Sequence, residues 1–409
     1  MTDAPSLLSR ARQLDAEDPL APYRTRFIGH DDPAIPAYLD GNSLGRPLAA
    51  SVGRVQELMV EQWGGRLIRG WDEGWLELPR QLGDELGRTA LGAAPGQCLI
   101  ADSTTVLLYK LIHAALSARP DRKRVVIDRD NFPTDRYVLE GIAADRGLEL
   151  DWLGVPYDGG ADVELLRSVA GDQTALVVLS HVAYRSGHLA DMRAITEAVH
   201  DAGTLVLWDL CHSVGVVPVE LDAWGVDLAV GCSYKYLNGG PGAPAWIYVR
   251  REHQQLAQPI QGWLGSEDPF GMGQGYRPAA GIRRFASGTP PIIGMTAIAD
   301  MIALIGEAGI GAIREKSKML TQFALEVTDA LLAPHGVVLA SPRNPAERGS
   351  HLTIDHPAFR QVTARLWDRG VIPDYRNPNG LRLGLSPLST GFEEVYRGVS
   401  AIAEELAGD

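Results

Sequence analysis

Residues 205–246 contain the two runs on which the fold turns, LVLWDLCHSVG at 205–215 and DLAVGCSYKYLNGGPGAPAW at 227–246. Each begins as a short apolar strand and breaks off at a residue with chemistry, Asp209 in the first and Lys235 in the second. In open α/β sheets, ligands sit beyond the carboxyl ends of the strands. The two residues lie 26 positions apart (235 − 209), about one further strand–helix–strand step. Taken singly, an aspartate here also caps a turn and a lysine is usually solvated. Taken together, they are an amine able to form a Schiff base and a carboxylate able to pair with a protonated ring nitrogen. A pyridoxal cofactor needs that arrangement.

The same pattern extends outward. RVVIDRD from Arg124, LELDWLG from Leu148, ALVVLSH from Ala175 and APAWIYVR from Ala243 read as further strands. Between them, 104–118 and 189–203 carry apolar residues at helical spacing, with Gly203 placed to end the second helix. This alternation predicts an α/β fold, a mostly parallel sheet covered by helices on both faces. Past about 290 the character changes to a long helical segment (296–333), then strand-like HLTIDH (351–356) and LRLGLS (381–386). The expected division is a large domain over 51–290 and a smaller α+β domain over 291–409. Residues 1–50 are expected to pack with the smaller one.

Composition narrows the function classes. The chain has 409 residues, 45% of them hydrophobic, enough for a sizeable core. A net charge of −13 opposes nucleic-acid binding. Three cysteines without a CxxC pair argue against a disulfide framework or a structural zinc and suit a reducing cytoplasm. No metal site is expected, since there is no HExxH and no close Cys/His cluster. The opening residues carry early acids and lack an apolar core, so they do not read as a signal peptide. No apolar run approaches the ~20 residues of a membrane span.

Three further segments could complete a site. In ADSTTVLLYKL (101–111), Ser103, Thr104 and Thr105 precede an amphipathic helix, where hydroxyls and free N–H groups bind phosphate. NFPTDRY (131–137) brings Asp135 after a strand. RNPNGLRLGLSPL (376–388) offers Arg382, a side chain suited to clamping an α-carboxylate.

Read together, these residues resemble the kynureninase family. The resemblance runs through YLDGNSLGRPL (38–48), FPTD (132–135), WDLCHSVG (208–215), WGVDLAVGCSYKYLNGG (224–240) and QGWLG (261–265). FASGTPP (285–291), RGSH (348–351) and 376–388 complete it. CSYKYLN behind WDxxHxxG is the specific part, and GNSLG is not shared by general aminotransferases. The resemblance implies the fold type I of pyridoxal-phosphate transferases and hydrolysis of L-kynurenine to anthranilate and L-alanine. It implies Lys235 as Schiff-base lysine and proton carrier, Asp209 on the ring nitrogen, and His212 supporting the ring. Thr104, Thr105 and Tyr234 would hold the phosphate, with Trp263 and Thr289 supplied by the second subunit of a homodimer. Phe132, Asp135 and Ser180 would line the cofactor pocket. Arg382 would take the substrate carboxylate, with Ser43 and Trp71 at the aryl ketone end. Tyr234 is also a candidate proton donor. Leu264, Ser266 and Cys211 depart from the usual family pattern and bear on the choice between kynurenine, 3-hydroxykynurenine and another ring-modified kynurenine. A cysteine desulfurase, the nearest rival on this fold, needs a nucleophilic cysteine well after the lysine. The last cysteine here is Cys232. A transaminase and a non-catalytic relative are the weaker alternatives.

Overall fold

A computed structural model describes residues 4–408. Its centre is a seven-stranded sheet of β1 (Cys98–Ala101), β2 (Arg124–Asp128), β3 (Glu149–Leu153), β4 (Thr174–Ser180), β5 (Leu205–Asp209), β6 (Leu228–Gly231) and β7 (Ala245–Val249). The spatial order is β1-β7-β6-β5-β4-β2-β3. All neighbours run parallel except at β7, which is antiparallel to both β1 and β6.

Strands β5, β6 and β7 are buried at every position because both faces are covered. Alternate residues serve two cores. Val206, Trp208, Ala229 and Trp246 face one, with Ile195 and Val199 of helix Met192–Asp201. Leu205, Leu207, Leu228, Val230 and Ile247 face the other, with Leu107, Leu108 and Leu111 of helix α1 (Thr104–Ala118). β1 was not anticipated; four residues between a helix and a turn carry too little periodicity to register.

A smaller antiparallel sheet holds β8 (Val338–Leu339), β9 (His351–Asp355), β10 (Asp374–Arg376) and β11 (Gly380–Gly384), in the order β10-β11-β9-β8. Its core takes in Leu7 and Ala11 of helix Ala4–Glu17 and Ala37 and Leu39 of the N-terminal segment. Leu20, Phe27 and Leu48 of that segment instead join the core of the large sheet.

The long helical segment is two helices, α2 (Ile292–Ala308) and α3 (Ile310–Leu331), meeting at 87°. Gly309 makes the corner at φ 81°, ψ 124°, a backbone region that is essentially glycine's. Met295, Ile298, Ile302 and Ile305 of α2 pack into the large unit, and the second core takes over at Leu320 of α3. The packing therefore changes hands inside 309–320 rather than at the expected 290. Among the described residues no single helix is long and apolar enough to cross a membrane.

Candidate active site

Three strand ends meet at one cavity. In the parallel register Ser180 ends β4 beside Asp209, which ends β5 and stands beside Val230 of β6. Past β6 the chain turns through Lys235, whose carbonyl receives the Asn238 N–H at 3.0 Å. The N-terminal segment seals this turn, with Gly45 N–H donating to the Tyr234 carbonyl at 2.9 Å. A Cβ at Gly45 would lie 2.3 Å from the Lys235 carbonyl, so GNSLG must present a glycine there.

The cavity holds about 130 Å³ and is lined by Thr104, Thr105, Phe132, Asp135, Ser180, Asp209, His212, Tyr234 and Lys235. Ser103, Thr134, Tyr184 and Cys211 complete the wall. Ser103 caps α1, its hydroxyl accepting from the Val106 N–H at 3.4 Å. The positive end of α1 and the Thr104 and Thr105 hydroxyls therefore belong to one end of the cavity. Lys235 is buried, with Nζ 3.0 Å from His212 Nε2 and 5.7 Å from the Phe132 ring centre. Burial and the Lys235 and Arg382 charges push His212 well below its usual range, leaving it a neutral acceptor for the lysine. Asp209 Oδ1 accepts from the Cys211 N–H at 2.7 Å, which fixes the carboxylate at the strand end.

Asp135 is the feature that asks for a ligand. It is 1% exposed, and neither carboxylate oxygen receives a hydrogen bond. Burial and the neighbouring Asp209 charge raise it well above the ordinary carboxylate range. Two buried carboxyls, a buried amine and a helix N-terminus around one cavity fit a flat cation carrying an aldehyde and a phosphate. Ser180 Oγ donates to Asn131 Oδ1 at 2.7 Å, while Asn131 Nδ2 is buried without an acceptor. Burial pushes Tyr234 up, so its phenol stays protonated and available as a donor.

Arg382 adjoins the cavity through its wall residue Tyr184. The residue is 1% exposed, and its guanidinium donates from Nε to Asp374 Oδ2 at 2.6 Å, from Nη1 to the Tyr184 carbonyl at 2.8 Å and from Nη2 to Ser43 Oγ at 2.9 Å, with Nη2 also paired to Asp374. Ser43 and Arg382, separated by 339 residues, are thus brought together, and Tyr184 joins them to the Lys235 cavity. Asp374 was missed by sequence reasoning because its partnership depends on the register that sets Asp374 opposite Arg382 across β10 and β11.

Ser43 and Arg382 thus adjoin the cavity without lining it, and three further expected residues stand elsewhere in the one chain. Trp71 lies in an apolar cavity of about 470 Å³ with Trp63, Leu67, Ile68 and Trp75. Thr289 borders that cavity and a second of about 650 Å³, and Trp263 is 40% exposed and stacks edge-on against Phe270. Trp71 is thereby separated from Ser43, with which it was grouped; it sits instead beside Thr289.

Known proteins resemble this chain along most of its length. A family model described as the kynureninase C-terminal domain matches residues 313–402. A kynureninase of Burkholderia pseudomallei (strain 1106a) is 42% identical over 407 residues, covering 97% of this chain and 94% of the relative. A kynureninase of Pseudomonas fluorescens is 40% identical over 404 residues, covering 96% and 94%. Among solved structures, a cysteine desulfurase from Thermococcus onnurineus NA1 superposes with a TM-score of 0.79 at 20% identity, covering 91% of this chain and 95% of that one, a likeness of fold.

Proposed function

The chain belongs to the kynureninase family, and from that membership we propose that its cavity binds pyridoxal 5′-phosphate and hydrolyses the Cβ–Cγ bond of L-kynurenine to give anthranilate and L-alanine. The observation that carries this reading is the meeting of Lys235, the Asp135–Asp209 pair and the α1 N-terminus around one cavity, with Arg382 next to it.

When bound, the cofactor supplies an electron sink that makes the substrate Cα proton acidic. The chain's own residues do the rest. Thr104, Thr105 and the α1 N-terminus would hold the phosphate, and Asp209 would pair with the ring nitrogen. Phe132, Ser180 and His212 bound the ring. Lys235 takes the proton from Cα, and neutral His212 accepts a hydrogen bond from its amine. Arg382 and Ser43 seize the α-carboxylate, which orients the ketone arm toward water. Tyr234, kept protonated by burial, donates a proton in the late steps. Trp263 and Thr289 reach the phosphate of a second subunit in a homodimer with shared sites, with Trp71 on the same face. The setting is cytoplasmic tryptophan breakdown.

The test is release of anthranilate from L-kynurenine and of 3-hydroxyanthranilate from L-3-hydroxykynurenine by cofactor-loaded protein. Release is expected from the native chain and is abolished by Lys235→Ala. Tyr234→Phe slows turnover and keeps the cofactor absorbance. Release that survives Lys235→Ala would overturn the assignment. Turnover of neither substrate by loaded protein would move the specificity to a ring-modified kynurenine.

A further inference from the structure

Outside the cavity wall, one buried cation is tied to the turn that starts the phosphate-binding helix. Lys110 is 0% exposed, two turns inside α1. Its ammonium donates to Asp102 Oδ2 at 2.6 Å and to the Phe285 carbonyl at 2.7 Å. The same Asp102 oxygen accepts from Ser287 Oγ at 3.0 Å. Asp102 immediately precedes the Ser103 cap and holds a left-handed φ of 41°, and its carbonyl accepts the Ala245 N–H of β7 at 2.9 Å. Ser287 lies two residues before Thr289, in the loop that borders the 650 Å³ cavity together with Asp102.

We propose that Lys110, Asp102 and Ser287 form a charge clamp, anchored on the buried Lys110 ammonium, that positions the start of α1 for the cofactor phosphate and joins that start to the loop carrying Thr289. This rests on reading the Lys235 cavity as a pyridoxal-phosphate site. Three physical points support it. A non-glycine residue at positive φ is strained and persists where surrounding bonds hold it. The Lys110 and Ser287 bonds supply that hold, and they set the direction in which Ser103, Thr104 and Thr105 leave the strand. An unpaired carboxylate one residue before a helix start also opposes a dianion there, whereas Lys110 neutralises it. Lastly, the side chain that organises the turn also receives the loop of Thr289, so a change in that loop is felt at the phosphate end. These three are positioning residues; none touches the reacting atoms.

The clamp makes a phosphate-specific prediction. Apoprotein variants are titrated with pyridoxal phosphate and, separately, with pyridoxal, which lacks the phosphate, following absorbance. Lys110→Met is expected to weaken pyridoxal phosphate binding by about tenfold or more, the direction set by an uncompensated, half-buried carboxylate, while pyridoxal binding stays within about twofold. Adding Asp102→Asn to Lys110→Met removes the stranded charge and returns phosphate-cofactor affinity to within about threefold of the native value. Equal weakening of both ligands, no weakening, or no rescue by Asp102→Asn would overturn the clamp. If circular dichroism shows Lys110→Met unfolded, Ser287→Ala against Ser287→Thr carries the test. The alanine variant should lose affinity for pyridoxal phosphate only, and the threonine, keeping the hydroxyl, should not. Native protein that binds the cofactor but releases no anthranilate would defeat the proposed activity and leave this test standing.

Discussion

At the scale of the residue, Arg382 shows what the site requires and what a chain reader can see of it. A buried guanidinium is costly unless its donors are met, and here Asp374, Ser43 and the Tyr184 carbonyl meet them. Asp40 adds a second carboxyl nearby, pushed up to about 6 by burial and the Asp374 charge. The fork is therefore held in one orientation, as the proposed carboxylate binding requires. Lysine has one point charge and no planar fork. Arg382→Lys should raise KM for kynurenine by about 10- to 100-fold and leave the cofactor absorbance unchanged, read from steady-state kinetics beside a spectrum. An unaltered KM would remove Arg382 from carboxylate binding. Arg382, Lys235 and Asp209 stood out because each occupies, closes or closely follows a strand with a clear apolar pattern. Asp374 and Lys110 did not. A lysine on an amphipathic helix reads as solvated, and only the tertiary arrangement buries Lys110 against Asp102.

At the scale of the element, the alternating strands and helices gave the parallel sheet, and Asp209 and Lys235 stand at the ends where that sheet places ligands. The corner between α2 and α3 was hidden because both helices keep an apolar stripe across it. A single glycine changes the direction without changing the period. Gly309 and Gly311 make a controlled comparison, since a Cβ at either meets nothing within 4 Å. Only Gly309 has positive φ. Gly309→Ala should destabilise by about 1–3 kcal/mol through backbone strain. Gly311→Ala, at the start of α3, should be neutral or stabilising by up to about 0.5 kcal/mol. Urea unfolding of both variants reads the difference, and equal effects would show that the corner does not depend on the glycine conformation. Similarly, β1 was illegible as a strand by itself. It exists because β7, reversed against β6, offers it an edge from Cys98 opposite Tyr248 to Ala101 opposite Ala245.

At the scale of the whole molecule, two features lie away from the cavity. Asp227, just before β6, is gripped by His200 Nε2 at 2.8 Å and His253 Nε2 at 2.9 Å. Burial pushes its carboxyl up, but the bonds from both histidines outweigh that and hold it at about 2. Its contribution is present above the unfolded value near 3.9 and is lost as pH falls through about 2. His200 is raised, mainly by its bond to Asp227, so its contribution is complete below the unfolded value near 6.5 and fades as pH rises through the folded one. The urea midpoint of native protein should therefore exceed that of His200→Gln by more at pH 5.5 than at pH 8.5; a gap that widens with pH would reverse the assignment. The second feature is the apolar face on which Trp63, Leu67 and Ile68 stand exposed beside Trp71 and Thr289. If that face meets its copy and lends Trp263 and Thr289 to the neighbouring cavity, two damaged chains should repair each other. A chain carrying Lys235→Ala and a chain carrying Trp263→Ala with Thr289→Ala should each be nearly inactive as homodimers. Random pairing of equal amounts makes half the dimers mixed, and each mixed dimer keeps one intact site of two, so about a quarter of native activity should return. Co-expression with two affinity tags, followed by an anthranilate assay of the doubly tagged fraction, in which every dimer is mixed, should read about half of native activity. No recovery in that fraction would mean that each cavity is completed by its own chain, and the separation of Thr289 from Lys235 seen here would then have to close within one subunit.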